Sequence, residues 1–225
     1  MNYHIGRMLI DEFFDGSEHC PLCRIKMKVE NRLAEQYLGE KVMEDSTRKE
    51  VNKLGFCKTH FDLLYSMPSK LGLALQSSTR LKTVYKSINE PKSVKEAKKQ
   101  AERISRLNST CVICKYLGDN MTRYYKTVAQ IYSEDEKFRE KISGGNGFCL
   151  EHYSKLIENS SYAGKYAKEY LKNLYASQIK RLDAVDKQLS GFCNHHDYRC
   201  VSLPLGENKN ALRNYRRTFY DIEEQ

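Results

Sequence analysis

Two cysteine and histidine motifs, each present twice, constrain the fold of this chain more than any other feature. The first copy has Cys-Pro-Leu-Cys at Cys20–Cys23 and Gly-Phe-Cys-Lys-Thr-His at Gly55–His60. The second copy has Cys-Val-Ile-Cys at Cys111–Cys114 and Gly-Phe-Cys-Leu-Glu-His at Gly147–His152. The copies are offset by 91 residues at the first motif and by 92 at the second. One inserted residue therefore aligns them, and we interpret the chain as an internal duplication.

The ligand-type side chains of each copy are three thiols and one imidazole. Zinc prefers such sulfur and nitrogen donors in a tetrahedral set, and a closed set of three cysteines and one histidine is typical of a structural zinc site. The duplication thus predicts two zinc ions per chain, one in each repeat. The predicted ligands are Cys20, Cys23, Cys57 and His60 in the first repeat and Cys111, Cys114, Cys149 and His152 in the second.

Each ligand pair is predicted to lie at the beginning of a helix. Pro21 follows Cys20, and proline suits the first helical position because its missing N–H would have no intrahelical partner there. Cys20 would then be the N-cap, where unpaired N–H groups and the helix dipole favour a thiolate. Cys57 and His60 are three residues apart, which places both on one helix face. We expect each ion to join two helix starts.

Other interpretations of the cysteines remain open. Single free cysteines are often small buried apolar residues, but two matching quartets are poorly explained in that way. Three cysteines and one histidine can also hold an iron–sulfur cluster. A redox pair of the thioredoxin type is disfavoured, because no alternating strand pattern precedes either Cys-x-x-Cys motif.

Apolar residues recur every three or four positions through most of the chain, which predicts an all-α fold. Such a stripe follows each of the four motifs, and the four prolines lie at helix starts or in gaps between stripes. The stripes consist of Leu22, Ile25, Val29, Leu33 and Tyr37; of Ile113, Leu117, Met121, Tyr125, Val128 and Ile131; of Leu71, Ala74, Ser78, Leu81, Tyr85 and Ile88; and of Ala167, Leu171, Leu174, Gln178, Leu182, Val185 and Leu189.

The repeats also predict the organisation of the chain. We expect an N-terminal arm and the first repeat over residues 1–91, a linking helix and the second repeat over 92–190, and a C-terminal segment over 191–225, in one compact helical bundle. Shorter helices are expected from about residue 46 to 54 and from about 134 to 142, each with a capping acid or hydroxyl near its start. The linking helix is basic and is marked by Val94, Ala97, Ala101 and Ile104.

A partial third copy of the second motif occurs at Gly191–His196. No Cys-x-x-Cys precedes it, so a third ion would need Cys200 and a ligand from elsewhere in the chain. An ion with only three protein ligands can bind water or substrate, which would make this segment the centre of a metal- or thiol-dependent enzyme or a redox sensor. A coincidental copy with free thiols is the alternative. The residues concerned are Cys193, His195, His196 and Cys200, with His4 and His19 as further donors.

The chain is basic, with 38 lysines and arginines against 29 acidic residues. A net charge of +9 attracts nucleic acid, and three tyrosines among lysines, Tyr162, Tyr166 and Tyr170, are candidates for base stacking. The basic residues are spread along the chain, however, and Tyr166 and Tyr170 lie one helical turn apart, as in a packing stripe. We therefore favour packed tyrosines and a protein partner, with nucleic acid as the alternative.

Composition excludes several other classes of protein. No stretch has the roughly 18 to 20 apolar residues that a membrane-spanning helix needs. Charged residues at Arg7, Asp11 and Glu12 interrupt the N-terminus, unlike the core of a signal peptide. We expect a cytoplasmic protein, in which cysteines bind metal more often than they form disulfides. No nucleophile elbow, phosphate-binding loop or metalloprotease motif occurs, so the sequence favours a non-enzymatic protein with structural zinc.

These motifs resemble those of an uncharacterised prokaryotic family, a domain of unknown function. Its pattern has a Cys-Pro-x-Cys start, a Gly-Phe-Cys-x-x-His motif, a repeat of both, and a C-terminal aromatic-Asp-Tyr-Arg segment, which is found here at His196–Arg199. The resemblance covers nearly the whole chain and implies an all-helical, duplicated architecture without implying an activity. This chain departs from the pattern at Val112, which stands where the first repeat has Pro21.

Overall fold

The chain is all-helical in a computed structural model that describes residues 3–196 and 205–220. This confirms the predicted all-α class, since these residues include no strand. Within the same ranges, no helix is long and apolar enough to cross a membrane. The α-helices are α1 (Tyr3–Phe13), α2 (Pro21–Leu38), α3 (Asp45–Leu54), α4 (Lys58–Ser66), α5 (Lys70–Ser87), α6 (Val94–Asn108), α7 (Val112–Glu134), α8 (Glu136–Gly144), α9 (Leu150–Glu158), α10 (Ala167–His195) and α11 (Ala211–Phe219), with 3-10 helices at Glu40–Met43, Ser160–Tyr166 and Gly206–Asn210.

Several helices begin where the sequence predicts a helix start. Pro21 is the first residue of α2, as its position after Cys20 predicts. At the start of α8, the Asp135 carboxylate accepts a hydrogen bond from the N–H of Phe138 at 3.3 Å. At the start of α6, the predicted linking helix, the Ser93 hydroxyl accepts one from the N–H of Glu96 at 3.2 Å. Side-chain caps therefore fix both helix starts.

The chain divides into two compact units that are not consecutive in sequence. Unit 1 contains the residues up to Met27 and those from Met121 onward, and unit 2 contains Lys28–Asn120. The boundaries fall inside α2 and α7, so each of these helices begins in one unit and ends in the other. This division differs from the consecutive repeats expected to meet at residues 91 and 92. Helix length explains the difference, because the 18 residues of α2 rise about 27 Å away from the first motif.

Aromatic side chains form much of the core of unit 1. The ring of Phe14 lies 5.1 Å from that of Phe138, and the rings of Tyr132 and Tyr170 lie 4.9 Å apart. Tyr170 is fully buried, as a packing tyrosine should be, whereas Tyr162 is exposed. The part of the α7 stripe that belongs to this unit is buried, at Met121, Tyr125, Val128 and Ile131.

In unit 2, α5 packs with a face that the periodicity did not identify. Its buried residues are Gly72, Leu73 and Gln76. A Cβ at Gly72 would lie 2.5 Å from the carbonyl oxygen of Leu38, and Gln76 Nε2 donates to the carbonyl of Tyr37 at 2.9 Å. Close approach to the end of α2 therefore selects this face, and the large apolar residues of the predicted stripe, Leu71, Leu81, Tyr85 and Ile88, are exposed.

Candidate metal centres

Each unit contains one cluster of three cysteines and one histidine. The four ligand atoms of each cluster all lie within 4.8 Å of one another. Cluster 1, in unit 1, consists of Cys20, Cys23, Cys149 and His152, and cluster 2, in unit 2, consists of Cys57, His60, Cys111 and Cys114. All eight predicted ligands are thus gathered into two sets of the predicted composition.

The structure corrects the grouping of these ligands. We expected each set to form within one repeat, but each cluster takes its Cys-x-x-Cys motif from one repeat and its Cys-x-x-His motif from the other. Helix length is the physical reason. The 18 residues of α2, about 27 Å long, carry the chain out of unit 1, and Cys57 belongs to unit 2.

Both clusters lie where two helices begin. In cluster 1, Cys20 directly precedes α2 and Cys149 is the N-cap of α9. In cluster 2, Cys111 directly precedes α7 and Cys57 is the N-cap of α4. The N–H groups of a first helical turn have no intrahelical partner, and the positive end of the helix dipole favours an anion there. The prediction that each ligand set joins two helix starts is confirmed, with the helices exchanged between repeats.

The start of α7 uses an N–H group that proline would lack. α7 begins at Val112, as α2 begins at Pro21. The N–H of Val112 donates to the carbonyl of Gly55 at 3.0 Å, and the Val112 side chain is fully buried. A proline here would remove this bond. The valine therefore anchors α7 to the Gly-Phe segment that leads to Cys57.

The glycines of both Gly-Phe-Cys motifs have left-handed backbone conformations. The φ angle is +65° at Gly55 and +71° at Gly147. A Cβ at Gly55 would lie 3.1 Å from Nε of Arg80, and a Cβ at Gly147 would lie 3.0 Å from the carbonyl oxygen of Ser177. Backbone conformation and close packing both require glycine at these positions.

The donor atoms of cluster 1 are spaced as one tetrahedral ion needs. Nδ1 of His152 lies 3.2 Å from Sγ of Cys23, 3.2 Å from Sγ of Cys149 and 3.5 Å from Sγ of Cys20. The Sγ atoms of Cys23 and Cys149 are 3.5 Å apart. With Zn–S bonds of about 2.3 Å and Zn–N bonds of about 2.0 Å, a tetrahedral site has donor separations of about 3.5 to 3.8 Å. A single ion of this size fits the cluster after small adjustments.

Cluster 2 has similar spacing but is more open to solvent. Nδ1 of His60 lies 3.1 Å from Sγ of Cys57, 3.2 Å from Sγ of Cys114 and 3.4 Å from Sγ of Cys111. The Sγ atoms of Cys57 and Cys114 are 3.8 Å apart. Cys114 is exposed, whereas cluster 1 has no exposed member. The two clusters are therefore alike in donors and unlike in burial.

The histidines of the two clusters differ in what holds their second nitrogen. Nε2 of His60 donates to Oε1 of Glu30 at 2.7 Å, which directs the lone pair of Nδ1 toward the thiols. Nε2 of His152 is buried and has no hydrogen-bond partner among the described residues, and its ring packs against Tyr125 at 5.9 Å. Sequence reasoning missed Glu30, because a glutamate seven residues after Cys23 looks like any other polar residue of a helix.

Burial and hydrogen bonding set the charges in cluster 2. Burial lowers the pKa of His60, but contacts with Cys111, Glu30 and Cys57 outweigh it and raise the pKa to about 10. Burial raises the pKa of the Cys111 thiol, but hydrogen bonds from His60 and from backbone N–H groups bring it down to about 6. These contacts favour the thiolate form of Cys111. A metal cation would replace the proton on Nδ1, because both bind the same lone pair.

Two arginines, the half-buried Arg80 and the buried Arg181, brace the motif glycines, and sequence reasoning missed both. Arg80 of α5 donates to the carbonyls of Asn52 and, at 3.2 Å, Leu107. Arg181 of α10 donates to the carbonyl of Asn146 at 3.4 Å, directly before the glycine of the second Gly-Phe-Cys motif. Arg80 follows its motif histidine by 20 residues and Arg181 by 29, so no shared spacing marks them.

The partial third motif does not reproduce the structure of the other two. Gly191–His195 lies inside α10, so its glycine precedes no helix start, and Cys193 is exposed. Within residues 3–196 and 205–220, Cys193, His195 and His196 do not belong to any group of three or more potential metal ligands. Cys200 and residues 197–199 lie outside the described residues, so the third ion stays a prediction.

Comparisons with known proteins place the chain among uncharacterised relatives. It is 22% identical over 186 residues to the "Uncharacterized 23.9 kDa protein in xynA 3'region" of Caldicellulosiruptor sp. (strain Rt8B.4), a match that covers 83% of this chain and 86% of the relative. No solved structure matches the chain. The model of one protein family matches residues 1–221, nearly the whole sequence. The chain therefore belongs to the Family of unknown function DUF6062, in agreement with the resemblance of its motifs.

Proposed function

We propose that this protein binds two zinc ions and that both ions are structural. The observation that carries the proposal is the pair of clusters in which three sulfurs and one nitrogen lie within 4.8 Å of one another. A tetrahedral ion with four protein ligands has no position left for water or substrate. We propose further that the helical frame held by these ions serves to bind a protein partner rather than to catalyse a reaction.

The positions of the ligands support a structural role. Cys23 and Cys149 are 126 residues apart in sequence, and Cys57 and Cys114 are 57 apart. A crosslink between such distant residues removes conformational freedom from the unfolded chain and so stabilises the folded one. Neither sulfur pair belongs to a single helix, so each ion would fasten separate elements together.

Donor spacing favours a single ion over an iron–sulfur cluster. The ligands of a cluster bind different iron atoms and are therefore farther apart than the ligands of one ion. All four donors here lie within 4.8 Å of one another in both sets. Among single ions, zinc suits three thiolates and one imidazole in a tetrahedral arrangement.

Metal analysis tests the proposal directly. The protein is purified without added metal, and elemental mass spectrometry is combined with an absorption spectrum. We expect two zinc ions per chain and no visible absorption, one ion in Cys149→Ser, and two ions in the control Cys193→Ser. Iron with visible absorption, or no bound metal, would contradict the proposal. A third ion lost in Cys193→Ser would instead favour the metal- or thiol-dependent enzyme or redox sensor expected around Cys193 and Cys200.

A further inference from the structure

The positive charge of the chain is concentrated in the segment formed by α5 and α6. Residues 70–108 contain ten lysines and arginines against three glutamates, a formal charge of +7 out of the +9 of the whole chain. α5 has no acidic residue at all. The rest of the sequence is nearly neutral, so a polyanion or an acidic protein would be attracted to this segment first.

The same segment exposes large apolar side chains. On α5, Leu71 is 73% exposed, Leu81 is 68% exposed and Tyr85 is 79% exposed. α6 has its apolar residues on one face, yet none of its residues is buried, and Val94 is 75% exposed. Leu81 and Tyr85 lie together beside Lys82 and Lys86, and exposed apolar surface flanked by charged residues is typical of an interaction site.

A groove of about 540 Å³ lies along α5 and α6 within unit 2. Apolar residues dominate its walls, and a groove between helices is a common receptor for the apolar face of another helix. Residues 74–84 of α5 line it over about 15 Å, so about ten residues of a partner helix match the length of the groove. Its apolar lining includes Phe61, Leu81, Val84, Ile104 and Leu107.

We propose that this groove binds an acidic amphipathic helix of a partner protein. The proposal rests on the partner-binding role given above and names the chemistry of that partner. The apolar face of such a helix would cover the lining of the groove, and its acidic residues would meet Lys82 and Lys86, which lie beside Leu81 at the edge of the lining.

Three other occupants fit the groove less well. A second copy of the chain would bring another +7 segment against the first, which is repulsive. Nucleic acid would pair its phosphates with the lysines but would leave the leucine and isoleucine side chains uncovered. A membrane surface would cover the projecting Leu81 but would leave the half-buried Val84, Ile104 and Leu107 of the lining uncovered.

Fluorescence anisotropy with a synthetic helix tests the proposal on the full-length protein. The probe is a labelled peptide of about 18 residues with leucines on one helical face and glutamates on the other. Two further peptides serve as controls, one with lysine in place of glutamate and one with the acidic sequence scrambled. They show whether binding depends on both the charge and the amphipathicity of the peptide. Of the three peptides, we expect only the acidic amphipathic one to bind saturably, and we expect added salt to weaken this binding.

A matched pair of variants locates the binding. Leu81→Glu with Tyr85→Glu changes two exposed residues of the groove segment, and Tyr175→Glu with Ile179→Glu changes an equivalent exposed pair on α10. All four side chains are exposed, so both variants are expected to fold, and circular dichroism checks this. We expect the first variant to bind the peptide at least about tenfold more weakly and the second to bind as the unchanged protein does.

Three results would overturn the proposal. They are the absence of saturable peptide binding up to about 0.2 mM, equal binding by both double variants, and tighter binding of a 20-nucleotide RNA or of phosphatidylserine vesicles than of the peptide. Zinc content is measured on the same samples. A protein that contains two zinc ions but does not bind the peptide would reject only this inference. A protein that binds the peptide but contains no zinc would reject only the structural-zinc proposal.

Discussion

Glu30 makes the two clusters chemically unequal, because its carboxylate holds the histidine of cluster 2 and no described residue does the same in cluster 1. Glu30→Ala should lower the metal affinity of cluster 2 by roughly 10- to 100-fold and leave cluster 1 unchanged. A competition titration with a chromophoric chelator measures both affinities. Glu35→Ala, an exposed change on the same helix, is the control; equal metal release from both variants would show that Glu30 does not position the histidine.

Gly147 combines a left-handed backbone conformation with close packing. Its φ angle is +71°, and a Cβ would lie 3.0 Å from a carbonyl oxygen. Gly147→Ala should therefore lower the free energy of unfolding by roughly 1–3 kcal/mol, which urea denaturation measures. Gly118→Ala is the control, since a Cβ there meets nothing within 4 Å and alanine favours a helix. Equal stability of both variants would contradict the packing described at Gly147.

The sequence identifies the cysteines and histidines of the clusters but not the residues that support them. The eight cysteines and histidines of the clusters are recognisable because their type and spacing recur. Glu30, Arg80 and Arg181 act through long-range contacts that leave no periodic signal in the sequence. Ordinary charged residues become positioning residues only where the fold brings a histidine or a carbonyl beside them.

The helices α2 and α7 each begin at a Cys-x-x-Cys motif, and each of these motifs meets the Cys-x-x-His motif of the other repeat. Double variants test this grouping. In the structure, Cys23 and Cys149 belong to one cluster and Cys57 belongs to the other. Cys23→Ser with Cys149→Ser should therefore damage one cluster and leave one ion per chain. Cys23→Ser with Cys57→Ser should damage both clusters and leave none. Elemental analysis after gel filtration measures the content of each variant.

The opposite result has an equally clear meaning. If ligands grouped within repeats, Cys23→Ser with Cys57→Ser would retain one ion and Cys23→Ser with Cys149→Ser would retain none. Cys193→Ser serves as the control for an exposed cysteine outside both clusters. The pattern of ions lost thus distinguishes the two groupings without any need for a new structure.

Stability of the whole molecule should depend on its ions. Four ligands from distant segments are brought together in each unit, and the free energy of metal binding at such a site adds to the free energy of folding. Dialysis against a chelator should lower the melting temperature and the helical circular dichroism signal, and added zinc should restore both. A chelated chain that melts cooperatively at an unchanged temperature would show that the ions are not structural.

The metal-dependent part of this stability should fall as the pH falls. The bound ligands are thiolates and neutral imidazoles, so the unfolded, metal-free chain carries more protons than the folded, metal-bound chain. Stability therefore rises with pH up to the pKa of an unfolded thiol, about 8.5, and is lost on acidification. Thermal melts at about pH 5.5, 6.5 and 7.5 measure the slope. The chelated protein is the control, and an equal slope without metal would contradict this explanation.

By itself, the sequence determined what is local or repeated in this protein. Helical periodicity, proline positions and the duplicated motifs determined the all-α class, the starts of helices such as α2 and α6, and the eight cysteines and histidines of the two clusters. Each of these depends on residues that are close in the chain or on a spacing that occurs twice, so one sequence is sufficient to read it.

Only the tertiary structure decided which ligands meet and which faces are buried. Cys20 meets Cys149 within unit 1, whereas Cys57 belongs to unit 2. The close approach of Gly72 to Leu38 leaves the apolar stripe of α5 exposed. Both outcomes depend on where whole helices lie, and periodicity within one helix carries no information about the direction of its neighbours.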